Sequence, residues 1–254
     1  SAVTRHSTPW VLAVNGLPAF DEDVWELYDG SKDWSQAHDL SKENPEMLRK
    51  LQRQFLIEAT KYNVIPLDDR RVERFVPALA GRPVIAKGKK QIFFPGMKRI
   101  SEATVLDVKN KSFQVTAQVV IPQATAHGTL VAQGGGYGGW GVLIEQGAAR
   151  FVYNMFGVHV FIVDADRALT PGEHQVRAEF AYAGGGMAKG GDITFYYDGE
   201  PVGGGKIPMT EPVCFSATEG LDIGREMGTP VTPKVKSADT VFNGEIKWVE
   251  LSIG

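Results

Sequence analysis

From Ser112 to Ile253 short apolar or period-two runs alternate with glycine-rich turns, and nothing in that span repeats apolar residues at the three-and-four spacing of a helix. The runs are Ser112 to Ile121, Thr129 to Gln133, Trp140 to Glu145, Arg150 to Phe156, Val158 to Val163, His174 to Tyr182, Ile193 to Tyr197, Val213 to Phe215 and Val241 to Ile253. Successive side chains of a strand point to opposite faces, so period two marks a sheet with one buried face. Parallel strands need long crossovers, usually helical, so many short strands without helices predict an antiparallel β-sandwich. Asp198-Gly199 predicts a hairpin turn after Tyr197. In the last run Phe242, Ile246 and Trp248 keep even spacing while Val249, Leu251 and Ile253 take odd positions, so the buried face switches near Trp248. A bulge, or a strand covered on both faces, produces such a switch.

The N-terminal third reads differently. Trp10 to Val14 and Val24 to Tyr28 are strand candidates, separated by Asn15, Gly16 and Pro18. Asn44 suits an N-cap, Pro45 the first helical position and Glu46 the positive end of the dipole. Leu48, Leu51, Phe55, Ala59 and Tyr62 then form one apolar stripe on a helix ending near Asn63, before Pro66. Two strands and one helix bury little surface, so the stripe is expected to pack on a sheet supplied by the sandwich or by further sequence. From Asp68 to Lys90 the chain is charged and broken by Pro77, Gly81, Pro83 and Gly88, as a linker is. The expected organisation is a small strand-and-helix subdomain over 1–75, a linker over 76–90 and a β-sandwich over 91–254.

Charge and composition narrow the function. The 254 residues carry 27 Lys plus Arg against 30 Asp plus Glu, a net charge of -3, which argues against nucleic acid as a partner. The basic stretch from Arg82 to Lys111 reads as a solvated segment. No apolar run approaches the ~18 residues of a membrane span, so no membrane partner is expected. The single cysteine, Cys214, rules out an intramolecular disulfide and any multi-Cys metal site, and leaves the compartment undecided. The opening SAVTRHSTPW has no initiator Met, basic n-region or apolar h-region, and reads as the middle of a longer protein.

Several motifs resemble the C-terminal region of the bacterial arylsulfatases, members of the alkaline-phosphatase-like superfamily. They are Trp25 to Asp29, the loop from Asp33 to Leu40, the helix start Glu43-Asn44-Pro45-Glu46, and the exit Lys61 to Val64 with Pro66 to Arg70. Thr4 to Trp10 is similar to the segment before that strand. Phe94 to Met97, Leu130 to Gly134 with Gly138-Gly139-Trp140, Gly184 to Gly186 ahead of Tyr197-Asp198-Gly199, and Leu221 to Gly224 with Thr229 to Val231 resemble an appended concanavalin-like or laminin-G-like jelly roll. The resemblance implies a mainly β chain, with a small α+β sulfatase subdomain followed by the sandwich. It also implies a parent sulfuric ester hydrolase with formylglycine, calcium and a sulfate ester substrate, and a separate N-terminal catalytic domain as partner.

The chemistry itself is missing from this stretch. A formylglycine precursor needs Cys or Ser in a Cys/Ser-x-Pro-x-Arg motif; Cys214 is followed by Phe-Ser-Ala-Thr, and Ser7-Thr8-Pro9-Trp10-Val11 has Val11 in place of Arg. The chain alone is therefore expected to be inactive, with no catalytic or metal residue, and Asp68-Asp69 reads as a solvated helix exit. Gly134-x-Gly136-x-x-Gly139 matches a dinucleotide fingerprint, yet a strand follows it where phosphate binding needs a helix. Glu219, Asp222 and Glu226 are weighed as a glycosidase cluster, although Gly224 interrupts their strand. The five histidines show no ligand spacing, and His6 is singled out only for its place beside the expected catalytic domain. The alternative function is a carbohydrate-binding or partner-binding sandwich, with Tyr137 and Trp140 as candidate stacking residues in the glycine-rich turn.

Overall fold

The computed structural model describes residues 1–7, 17–70, 74, 80–81 and 83–254. It divides into two compact units, Ser1–Arg71 and Val72–Gly254. The expected strand from Trp10 to Val14, and residues 76–79 and 82 around the expected linker, lie outside the described residues.

In the first unit, β1 (Ala2–Thr4) pairs antiparallel with β2 (Trp25–Leu27). Asp39 ties the following loop back, its Oδ1 accepting the Leu27 N–H at 2.9 Å and the Ser41 N–H at 2.8 Å. Helix α1 (Pro45–Lys61) begins at the proline, as expected, although the Asn44 side chain makes no capping bond. Of the apolar stripe, only Ala59 is buried; the Phe55 ring reaches Trp25 at 5.8 Å, while Tyr62 stays 64% exposed. Two three-residue strands are too small to cover a helix of 17 residues. The described residues of this unit form a two-stranded sheet with one helix, the strand-and-helix organisation expected, and nothing in them marks it as a sulfatase subdomain. None of the described helices is long and apolar enough to cross a membrane.

The second unit is an antiparallel β-sandwich. Its strands are β3 (Lys90–Phe93), β4 (Phe113–Ile121), β5 (Gly128–Gly135), β6 (Gly138–Glu145), β7 (Ala148–Met155), β8 (His159–Asp164), β9 (Gly172–Tyr182), β10 (Gly191–Tyr197), β11 (Glu200–Ile207), β12 (Leu221–Ile223) and β13 (Glu245–Ile253). One sheet has the order β11-β10-β9-β4-β13-β3 and the other β12-β5-β6-β7-β8. Phe113 and Phe180 from the first sheet meet Trp140 and Phe151 from the second, with ring centroids 5.2 Å apart for Phe113–Trp140 and 6.4 Å for Phe151–Phe180. This tilted and stacked packing closes the core between the sheets. The switch near Trp248 is a register shift between Ile246 and Trp248 against β4. Val213 to Phe215, expected as a strand, is a bend within a loop. Strand β11 escaped the pattern because Pro201 and three glycines remove its β signal; an edge position tolerates both.

The outer face of the five-stranded sheet is covered by the chain itself. Asp222, Ala132, Gly141, Val152 and Ile162 lie side by side across its strands. Ala132 and Gly141 are small enough to admit Val231, which is fully buried beside Ala132, Leu143 and Val152. Residues 225–236 thus form a strap over that face. The outer face of the six-stranded sheet has no such cover among the described residues, and there the Arg177 guanidinium lies 3.9 Å above the Tyr196 ring.

Candidate functional site

Two adjoining turns at one end of the sandwich display aromatic rings to solvent. Tyr137, between β5 and β6, is 79% exposed; Phe156, between β7 and β8, is 51% exposed. Large exposed apolar side chains on tight turns contribute little to a core, so their support decides whether they form a site. Asn154, buried at the end of β7, joins both turns. Its Nδ2 donates to the carbonyls of Gly136 and Val231 at 3.1 Å each, and its Oδ1 accepts the Gly157 N–H at 2.9 Å. The Gly136 N–H donates to Thr229 Oγ1 at 3.0 Å, and Thr229 in turn donates through N–H and Oγ1 to Glu219 Oε1 at 2.7 and 2.8 Å. The strap therefore braces the Tyr137 turn from one side.

Glu211 braces it from the other. This side chain is wholly buried, and its Oε1 accepts the Phe156 N–H at 2.9 Å. Phe156 lies at a φ of 53°, a region uncommon for bulky residues, in a turn closed by the Val158 N–H donating to the Met155 carbonyl at 3.0 Å. Gly138, directly after Tyr137, lies so close that a Cβ there would run into Glu211 Oε1 and the Phe215 carbonyl. The Glu211 N–H donates to the Tyr153 hydroxyl at 2.9 Å, while Oε2 has no hydrogen-bond partner among the described residues. Burial pushes the carboxyl up to about 8; the Phe156 N–H opposes the rise, Glu102 adds to it and Lys109 opposes it. Lys109 is engaged elsewhere, 2.5 Å from Glu102 and 2.8 Å from Asp107. Burial also raises the Cys214 thiol, which keeps it protonated and a poor nucleophile.

Of the two stacking candidates, only Tyr137 is available to a ligand. Trp140 is fully buried, packed on Phe113 and Phe151, with Nε1 donating to Gln133 Oε1 at 3.1 Å; it drops out as a stacking candidate and belongs to the core, the usual place of a strand aromatic. Its place on an inward position of β6 put it there. The glycine pattern 134–139 is the β5–β6 hairpin, followed by strand rather than helix. Glu219 and Asp222 flank a recess of about 200 Å³. Asp222 accepts the N–H groups of Arg99 at 2.6 Å and Met227 at 2.8 Å, and Glu226 accepts Thr129 Oγ1 at 3.0 Å and the Val231 N–H at 2.6 Å. These carboxylates are thus engaged in the hydrogen bonds that hold the strap. His6 lies between Asp23, at 2.8 Å, and Asp69, at 3.3 Å, and both raise its pKa. Among the described residues no group of three His, Cys, Asp or Glu is placed to hold a metal ion.

Phe156, Asn154 and Glu211 did not stand out in the sequence. One signal was present: Tyr137-Gly138 and Phe156-Gly157 repeat an aromatic–glycine pair between apolar runs, which is unusual in a turn made only to reverse the chain.

No protein-family model and no curated protein matches the chain. Among solved structures it is similar to the CBM40 of the Ruminococcus gnavus IT-sialidase, at 11% identity and a TM-score of 0.46, over 67% of this chain and 92% of that one. Mouse laminin α1 domains LG4-5 give 12% identity and a TM-score of 0.38, over 67% of this chain and 40% of that one. The NanB sialidase of Streptococcus pneumoniae gives 10% and 0.42, over 56% and 22%. These findings correct the arylsulfatase reading, both as a family and as a function: the similar structures are β-sandwich modules and not sulfatase domains. The motifs behind that reading, a short strand, a proline-initiated helix and a proline exit, are local features that many folds share.

Proposed function

We propose that the second unit is a carbohydrate-binding β-sandwich module whose ligand stacks on Tyr137 and Phe156, and that it binds without catalysing a reaction. The observation that carries this reading is the pair of exposed aromatic rings on adjoining turns, each turn pinned from beneath by Asn154 and Glu211. A sugar ring offers a flat apolar face and a polar rim. An aromatic ring receives the face, while the Thr229 hydroxyl oxygen, beside the Tyr137 turn, retains a lone pair that can accept from a sugar hydroxyl. Turns already fixed in shape lose little entropy on binding, which favours a weakly sticking ligand. Catalysis would need free carboxylates or a nucleophile, and the acidic residues near the recess are engaged in main-chain bonds.

A glycan array with the full chain, followed by calorimetry, tests the reading. Tyr137→Ala and Phe156→Ala are each expected to weaken the leading glycan about fivefold, since a ring contact contributes on the order of 1 kcal/mol. Unchanged affinity in the double variant would exclude this site.

A further inference from the structure

We propose that Glu211 is a proton-controlled strut beneath the Tyr137 and Phe156 turns: it fixes them while its carboxyl is neutral and loosens them when it ionises. The proposal concerns regulation of the site above and rests on that reading for its link to binding. Glu211 touches both turns at once, through the bond from the Phe156 N–H and through its close approach to Gly138. One carboxyl oxygen is satisfied and the other is not, although the side chain is fully buried.

The surroundings offer an anion little compensation. Glu102, beyond the Phe215 loop, is itself a carboxylate, with Oε2 accepting the Phe215 N–H at 3.0 Å. Lys109 faces Glu211 as a cation but is shared between Glu102 and Asp107 and stacked 5.0 Å above the Phe215 ring. Tyr153, from β7, already accepts the Glu211 N–H, and Tyr182 lies beyond it. Cys214, three residues along, is a neutral thiol held protonated by burial. An uncompensated buried charge is far costlier than a buried neutral acid, so ionisation drives the side chain towards water. Leaving means giving up the Phe156 N–H, the hydrogen bond that ties Glu211 to that turn.

The direction follows from the raised pKa. The folded value, about 8 against an ordinary 4.5, favours the neutral form, so the support is complete at low pH and fades as pH rises through about 8.

The test is an NMR titration of the labelled full chain without ligand, from about pH 6 to about pH 9.5, following the Phe156 and Gly138 amides and the Glu211 side-chain carboxyl carbon. The expected result is one shared midpoint near 8 in the native chain and flat amide profiles in Glu211→Gln, which keeps an acceptor for Phe156 but has no proton to lose. Amides that stay flat in the native chain, or titrate equally in Glu211→Gln, overturn the proposal. If Glu211→Gln does not fold, the carboxyl carbon of the native chain decides: a midpoint below about 6 overturns it as well. Because no ligand is present, a titrating Phe156 together with an empty glycan array supports the strut and removes only the binding reading.

Discussion

The strap over the five-stranded sheet and the loop behind the aromatic turns each depend on one buried glutamate, and the two glutamates are treated differently. Glu226 receives a donor at each oxygen, Thr129 Oγ1 at one and the Val231 N–H at the other. Glu211 receives a donor at one oxygen only. Burial raises both carboxyls above their ordinary range. A carboxyl whose bonds are complete is a fastening, whereas one with an open oxygen is sensitive to its own proton. Structure alone separates the two roles, since along the chain Glu226 is one of a group of carboxylates and Glu211 an acidic residue between Thr210 and Pro212, and neither pattern tells which oxygen finds a donor.

The largest effect is expected at the strap. Glu226→Ala leaves two buried donors without partners and should destabilise the sandwich by about 3–5 kcal/mol in urea unfolding. A loss below about 1 kcal/mol would mean that the strap is not fastened there. The next effect is in pH. Between about 4.5 and about 8 the unfolded chain ionises Glu211 while the folded chain holds it neutral, so stability should fall with rising pH by up to about 1.4 kcal/mol per unit. Glu226 is shifted in the same direction and adds a slope of its own, which should remain in Glu211→Gln while the Glu211 contribution vanishes; an unchanged total slope would show that Glu211 is not held neutral in the folded chain.

Gly138→Ala comes third, at about 1–3 kcal/mol, because the new methyl meets Glu211 Oε1 and the Phe215 carbonyl. It should also shift the Phe156 amide, which would show that the two turns respond to Glu211 together. Smallest is Tyr137→Ala, expected within about 0.5 kcal/mol of the native stability by thermal melting, since the ring is 79% exposed. Trp140, three residues later and fully buried, provides the control: its truncation should cost about 3–5 kcal/mol.

Much of the sandwich was legible because period two survives in any strand with one wet face. Strands β4, β9 and β10 alternate buried and more exposed residues, and the bulge at Trp248 showed itself as a change of parity. Strands β11 and β12 were not legible: one is rich in glycine, and the other has only three residues, all buried, where no period can appear. The site was half legible. Tyr137 declared itself as an aromatic residue among glycines, but its partner Phe156 looked like the end of a strand. Asn154 and Glu211 act through space, across 18 and 55 residues, which local pattern does not encode. The first part of the chain misled for the opposite reason, since a well-formed strand-and-helix signature carries no information about the domain in which it sits.

The division of labour around Asn154 has a consequence for how such a protein can change. The residues that hold the turns point inward, and the rings that meet solvent hold nothing. On the carbohydrate-binding reading proposed above, selection, or a combinatorial library, can therefore exchange Tyr137 for other side chains with the scaffold intact, so that new specificities lie a few substitutions apart while the framework that presents them stays the same.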